Sequence, residues 1–257
     1  MVAMQGKTVW VVDAINPLGN ALATALNKQG NFVIASGNDS ESLSHLVRSS
    51  GGAIAELRLD LNDGASVDAA KQRLATLSDR LDVVVANHVM HEFSALDRFN
   101  AELCGRQMNS NYLAMVRTLE IGIPMLRRSR APHIVCAGSA VTRLPLSGAE
   151  AYGASAAASE YFARALAGEL KEQKIAVSIV RAGVVSGPRR EPDDWTSRFA
   201  VSADEAARRL LAGMERRKRL IYLPRRLGWL AAVAGILPSA WMRGIMAQLN
   251  RQSGVIW

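Results

Sequence analysis

Hydroxyl, phenol, imidazole and amide side chains collect at a few places in this chain, most of them where an apolar run ends. Ser139 follows the run HIVCA, Tyr152 stands 13 residues further on at the head of an Ala-rich stretch, and Asn111 lies within a long helical pattern. Ser36 ends FVIAS, Asp60 and Leu61 close the run ELRLDL, Asn87 ends DVVVAN, and Gly183 with Val184 follow IAVSIVRA. Asn16, Leu18 and Gly19 lie in VDAINPLGN, where a strand-like run gives way to a helical one. Phenols, hydroxyls and imidazoles exchange protons with a reacting oxygen, and the first amides of a helix attract anions. Taken singly, several of these places have ordinary readings: Asp60 starts a turn, and Val12–Asn20 joins a strand to a helix. Metal chemistry is not indicated. The only two cysteines, Cys104 and Cys136, have no metal-like spacing and read as small buried apolar side chains in a reducing compartment.

The elements that must position these residues alternate along the chain. Strand-like runs at Lys7–Val12, Phe32–Ser36, Ala53–Leu59, Asp82–Asn87, His133–Ala137, Ile175–Arg181 and Leu220–Leu223 are separated by helical patterns. Those patterns lie at Leu18–Gln29, from Ser40 to Gly51-Gly52, and at Ala65–Leu77, Asn100–Arg127, 150–173 and Ser202–Arg217. Ser202 is the N-cap of the last helix, with Glu205 at the capping-box position. Short apolar strands without polar alternation are buried on both faces. Their alternation with helices predicts an α/β fold, a doubly wound parallel sheet of about seven strands with helices on both faces. A ligand then belongs at the carboxyl ends of the strands, near the switch in strand order. With 257 residues, 49% of them hydrophobic, the chain can bury a substantial core, and it divides into one domain over 1–224 and an extension over 225–257.

In order along the chain, these landmarks resemble the short-chain dehydrogenase/reductase family over about residues 6–224, and their joint spacing carries the resemblance. It implies a Rossmann-type sheet, a nicotinamide cofactor, and oxidation of an alcohol or reduction of a carbonyl. By resemblance, Ser139 holds the substrate carbonyl or hydroxyl and Tyr152 is the general acid or base. Asn111 is the asparagine that bends its helix and anchors a proton-relay water; Asn109 is a competitor in register, but the following Tyr-Leu-Ala favours Asn111. The cofactor contacts become Asn16, Leu18, Gly19, Ser36, Asp60, Leu61, Asn87, Gly183 and Val184, with Asp60 at the adenine amino group.

The chain also departs from the family pattern. Where the family has a TGxxxGxG turn, the matching positions are Val12, Asp13, Pro17 and Gly19, so one glycine survives. Pro17 removes an N–H, and Asp13 brings negative charge towards a dianion. Where the family has NNAG, the chain reads ANHV over Ala86–Val89, and the bulk of His88 and Val89 narrows the space beside the nicotinamide ribose. The family places a lysine four residues after the tyrosine, and here that residue is Ala156. Free tyrosine titrates near pH 10. If a nearby lysine lowers that by about two or three units, its loss raises the barrier by a few kcal/mol, roughly a hundredfold or more in rate. Candidate replacements are His88, Arg143 and His91, whereas Arg181 reads as a structural strand-end residue. Ser36, Gly37 and Asn38 offer no acid against a 2′-phosphate, which favours NADP over NAD.

Charge is uneven. Of the net +8, residues 201–257 carry +7 and residues 1–200 only +1. The sequence from Met214 to Arg226 holds six basic residues, and the apolar stretch Leu227–Met242 after it has 16 residues and a proline at 238. Spanning a bilayer takes about 20 residues, so a transmembrane helix is not expected. Basic flanks with Trp229 and Trp241 suit a peripheral membrane contact over 225–252; a lid over the substrate pocket or a contact with a partner subunit suits the segment equally. No nucleic-acid module is visible, and nucleic acid is not an expected partner. A strand starting at Lys7 leaves no room for a signal peptide, so the expected location is cytoplasmic, with or without attachment at the inner membrane surface. The resemblance implies a homodimer or homotetramer through the two long helices, with the small residues Gly153–Ser159 at the contact. Two functional readings stand. One is an atypical short-chain oxidoreductase acting on a small, lipophilic substrate; the other is a catalytically impaired scaffold that binds a partner, a membrane surface or a small molecule.

Overall fold

The computed structural model describes residues 4–92, 100–143, 148–186 and 200–224, with Val141, Arg143 and Ser186 described by backbone alone. The extension over 225–257 lies outside the described residues. The elements run in the order β1 (Thr8–Val11), α1 (Pro17–Lys28), β2 (Phe32–Gly37), α2 (Ser40–Ser49), β3 (Ile54–Arg58), α3 (Gly64–Leu77) and β4 (Val83–Ala86). After β4 come α4 (Ala101–Gln107), a π-helical segment (Met108–Leu113), α5 (Ala114–Leu126), β5 (His133–Ser139) and a 3₁₀ turn (Ala140–Arg143). The chain continues with α6 (Glu150–Glu172), β6 (Ala176–Ala182), β7 (Val185–Ser186), β8 (Val201–Ser202), α7 (Ala203–Glu215) and β9 (Leu220–Leu223).

Seven strands form one sheet in the order β3-β2-β1-β4-β5-β6-β9, and every pair is parallel. Strand order reverses between β1 and β4, which opens a crevice at their carboxyl ends. The two-residue period of a strand sends alternate side chains to two cores. Val9, Val11, Val33, Ala35, Val83 and Val85 pack with Leu22 and Leu26 of α1, Leu43 and Leu46 of α2, and Leu210 and Met214 of α7. Trp10, Ile34, Val84, Ile134 and Ile179 pack on the other face with Leu74 of α3, Leu119 of α5 and Leu170 of α6. Helices therefore cover both faces, as the alternating pattern requires.

The structure refines several expectations. The single helix expected over Asn100–Arg127 is interrupted by the π segment at Met108–Leu113. The strand expected to end at Ala137 continues to Ser139, so this serine is the last residue of β5 rather than one beyond it. A small parallel pair, β7 with β8, was not legible in the pattern. Ser202 does cap α7, accepting from the Glu205 N–H at 3.3 Å. The Glu205 carboxylate, however, pairs with Arg209 and Arg208, so half of the capping box is used for ion pairs. Cys136 is buried, and burial pushes its thiol up to about 12; Cys104 is only half-buried. In α6 the small-residue stretch is divided. Ser155, Ala156 and Ser159 are buried, Ala154 and Ala157 are exposed, and Tyr161 is 78% exposed. Among the described residues, no helix is long and apolar enough to cross a membrane, and no group of three or more His, Cys, Asp or Glu could hold a metal ion.

Candidate active site

The turn after β1 is tied to both neighbouring strands. The Ala14 N–H donates to the Ser36 carbonyl at 2.8 Å, and the Val12 N–H to the Val85 carbonyl at 3.0 Å. Asp13 turns the chain with φ of +53°, a left-handed conformation that Asp tolerates better than most residues. Asn16 is the N-cap of α1: its Oδ1 accepts from the Gly19 N–H at 2.8 Å. Its Nδ2 donates to Asp13 Oδ2 at 3.0 Å. Pro17 stands at the start of the helix, where the missing N–H has no intrahelical acceptor to lose. Gly19 is required by packing, since a Cβ there would lie 2.4 Å from the Asp13 carbonyl oxygen and 2.8 Å from Asn87 Nδ2. Asn87, at the end of β4, donates from Nδ2 to the Asp13 carbonyl at 3.3 Å and to Asn16 Oδ1 at 3.2 Å. The next residue, His88, places Nδ1 3.1 Å from Asp13 Oδ2. Asn16, Leu18, Gly19 and Asn87 thus meet where the crevice opens. The Leu18 side chain is buried in the core, and its N–H belongs to the first helical turn, where an α-helix offers no acceptor.

Other expected cofactor contacts fall differently. Ser36 is fully buried and its hydroxyl accepts from the Trp10 indole at 3.0 Å. An indole N–H in a core needs such a partner, so the Ser36 side chain is turned away from the carboxyl edge and the strand ends there in Gly37. Ile15 covers Gly37, where a Cβ would approach its side chain to 2.8 Å. Asp60 is half-buried, makes the turn read from it in isolation by accepting from the Asn62 N–H at 2.8 Å, and donates from its own N–H to the Ser66 hydroxyl oxygen at 2.9 Å. The Leu61 side chain is buried, and its carbonyl accepts from Arg117 at 2.5 Å. Gly183 and Val184 follow β6 at the same sheet edge. The Gly183 N–H donates to the Leu223 carbonyl at 2.7 Å, and the Val184 carbonyl accepts from Val201 at 3.0 Å.

Ser139 and Tyr152 come together from β5 and the first turn of α6. Both are buried, at 3% and 8% exposure, and they share a side-chain hydrogen bond. Burial pushes the Tyr152 phenol above its ordinary value, and the Ser139 bond pulls back only part of that rise. Asn111, in the π segment, is held by four bonds. Its Oδ1 accepts from the Met90 N–H at 2.7 Å, while Nδ2 lies 2.9 Å from the Met90 carbonyl, 3.2 Å from Gln107 Oε1 and 2.8 Å from Ser155 Oγ. Ser155 in turn donates to the Tyr152 carbonyl at 2.9 Å. Its competitor Asn109 bonds instead to Asn62 and Arg117, away from this site.

Ala156 is buried one helical turn beyond Tyr152, and Val89 packs against the Ala149, Tyr152 and Ala156 group. A narrow cavity of about 220 Å³, open mouth included, is lined by His88, Val89, Asn111, Ser139, Tyr152 and Ala156 among others. His88 therefore belongs to the site. The His91 ring lies 6.1 Å from the Tyr152 ring, centre to centre, and is exposed. The Arg143 side chain lies outside the described part.

A buried group missed from sequence supports the segment after Ser139. The Thr142 hydroxyl lies 3.0 Å from both the Ser139 carbonyl and Glu160 Oε2 and shares its one proton between them. Glu160 Oε2 also accepts from Arg181 Nε at 2.9 Å, and Arg181 donates to the Tyr222 hydroxyl at 2.7 Å. Burial opposes the Glu160 charge, but Arg181 and its other donors carry the carboxyl below its ordinary value. The available signal was the spacing of Glu160 from Tyr152, two helical turns on one face. Arg181 is structural, as read.

The family model for short chain dehydrogenases matches residues 7–195. The chain is 28% identical over 240 residues to a 3-ketodihydrosphingosine reductase of Bacteroides thetaiotaomicron, covering 91% of this chain and 84% of the relative. It is 27% identical over 186 residues to a 3-oxoacyl-[acyl-carrier-protein] reductase of Pseudomonas aeruginosa, covering 71% and 75%. The structure of a short chain dehydrogenase/reductase from Burkholderia phymatum in complex with NAD shares the fold, with a TM-score of 0.79 at 17% identity over 90% of this chain and 94% of that one. A family match over most of the chain, on a parallel sheet in the order described and with a hydrogen-bonded serine–tyrosine pair at its carboxyl edge, makes this protein a member of the short-chain dehydrogenase family.

Proposed function

We propose that this protein is an NAD(P)(H)-dependent oxidoreductase that reduces a ketone on a small, lipophilic substrate. The observation that carries the reading is the buried Ser139–Tyr152 pair facing a cavity at the carboxyl edge of the sheet. A phenol raised by burial is protonated at neutral pH, which suits a proton donor to a carbonyl oxygen better than a base. Ser139 orients that oxygen, and Asn111 with Ser155 holds the first turn of α6 and so the phenol. Two relatives carry names that specify a 3-keto or 3-oxo substrate, which favours a ketone within an acyl or long-chain molecule.

The turn at Asp13–Gly19 suits a dinucleotide by its place: α1 begins at the crevice where strand order reverses. Asn16, Leu18 and Gly19 would meet the phosphates, Asp60 and Leu61 the adenine, and Asn87, Gly183 and Val184 the nicotinamide half. When bound, the cofactor supplies the hydride. With no acid among Ser36, Gly37 and Asn38 at the end of β2, NADPH is favoured over NADH. Assembly as a homodimer or homotetramer would use the exposed side of α6 at Ala154, Ala157 and Tyr161.

The test is fluorescence titration with NADPH and NADH, followed by turnover of a 3-oxoacyl thioester. Saturable binding and consumption of NADPH are expected, and Tyr152→Phe should abolish turnover while leaving NADPH binding intact. No binding at millimolar cofactor would favour a non-catalytic scaffold, a reading that Asp13 in the phosphate turn and Ala156 beside Tyr152 support.

A further inference from the structure

Asp13 and His88 are 75 residues apart in sequence, and the fold brings their side chains to 3.1 Å. Both depart from the family pattern, one at a glycine position and one in the motif after β4, and together they make a single bond. An ionised carboxylate only accepts hydrogen bonds, so Nδ1 of His88 carries the proton. That leaves Nε2 an acceptor when the ring is neutral and a donor when it is cationic. Nε2 is buried and has no hydrogen-bond partner among the described residues, although buried polar atoms are nearly always paired. His88 lines the same cavity as Tyr152, Ser139 and Ala156.

We propose that Asp13 and His88 form a second proton-handling group of this site, with His88 Nε2 serving Tyr152 across the cavity beside Ala156 and with Asp13 as its positioning residue. The proposal rests on the reading of the site as a ketone reductase. In that reaction the bound cofactor would supply the hydride, and Tyr152 gives its hydroxyl proton to the carbonyl oxygen. The phenolate left behind is buried and disfavoured. His88 Nε2–H returns a proton to it across the cavity that both line, and the imidazole left neutral is reloaded from solvent. The other residues lining this cavity are uncharged: Val89, Asn111, Ala137, Gly138, Ser139, Ala156 and Ser159. Among the described residues, the charged or titratable groups beside His88 are thus Asp13 from the β1 turn and, across the cavity, Tyr152 from α6. His91, the other imidazole near Tyr152, is exposed, where solvent screens its charge. The pairing also accounts for Asp13, a charged residue in a left-handed turn, since its carboxylate holds Asn16 and His88 at once.

The experiment uses the full chain and the variants His88→Gln and Asp13→Asn. In ¹⁵N-histidine spectra, with the His88 signals assigned by their loss in His88→Gln, neutral His88 should be locked as the Nδ1–H tautomer, and Asp13→Asn should release the lock. With NADPH and a 3-oxoacyl thioester, His88→Gln should lower kcat by about a hundredfold. It should also remove the imidazole-type inflection from the pH profile. An Nε2–H tautomer in the wild type, or an unchanged pH profile in His88→Gln, overturns the proposal and leaves the reductase reading standing. Absence of NADPH binding by the wild type overturns both.

Discussion

At Gly19 a single hydrogen atom in place of a side chain decides how closely α1 can approach the end of β1. An added Cβ would meet the Asp13 carbonyl oxygen at 2.4 Å, and a backbone atom cannot move aside by changing rotamer. Gly19→Ala should therefore destabilise the fold by about 1–3 kcal/mol, the usual scale for overpacking. If the proposed cofactor reading holds, it should also weaken NAD(P)H binding in a fluorescence titration, because the first turn of α1 must shift. A variant that melts with the wild type and binds NADPH equally would show that the turn has slack. The phenol at Tyr152 illustrates the same scale from the opposite side: its chemistry is set by lack of water around it and by one hydroxyl neighbour.

Among the elements, the interrupted helix has the clearest role. A π segment replaces one turn where Asn111 reaches back to both backbone groups of Met90 and across to Ser155, and such segments are frequent at functional sites. Asn111→Leu would leave the Met90 N–H unpaired, at a cost of about 1–3 kcal/mol. Because Ser155 sits under Tyr152, turnover should fall further than the loss of folded protein explains; urea unfolding set beside kcat at equal folded fraction would check this. The second supporting element pair is α6 with β6, joined by Glu160 and Arg181. Glu160→Gln would leave a guanidinium buried without its counter-charge, which typically destabilises by about 3–5 kcal/mol. An unchanged urea midpoint would mean that Arg181 finds another acceptor.

For the molecule as a whole, acid should be the weak side of its stability. His133 begins β5, is 2% exposed, and lies 2.8 Å from Ser178 Oγ. That hydroxyl donates its own proton to the Lys218 carbonyl, so His133 Nε2 carries the proton of the bond between them. Burial, with the Arg217 charge adding to it, lowers the imidazole from 6.5 to about 4. Between those values the unfolded chain binds the extra proton and the folded one does not. Stability therefore falls as pH drops through 6.5 and levels off below 4, by about 3 kcal/mol in total. Urea midpoints measured from pH 7 to 4 should drop steeply for the wild type and more gently for His133→Gln. Parallel slopes would assign the acid sensitivity to other groups.

The alternation of short apolar runs with helical periods determined the α/β class, the parallel strands and helices on both faces, because those patterns reflect local geometry that each segment carries by itself. The grouping of Ser139, Tyr152 and Asn111 at one sheet edge came from the resemblance to the short-chain dehydrogenase/reductase family, whose spacing these residues match. What lies between segments was not legible. Whether the Ser36 hydroxyl faces the crevice or the Trp10 indole depends on a core neighbour one strand away. The pairings of Asp13 with His88 and of Glu160 with Arg181 join residues whose separation in sequence says nothing about their separation in space. Only closing the sheet, strand against strand, brings such side chains within hydrogen-bonding reach and removes the water that would otherwise separate them.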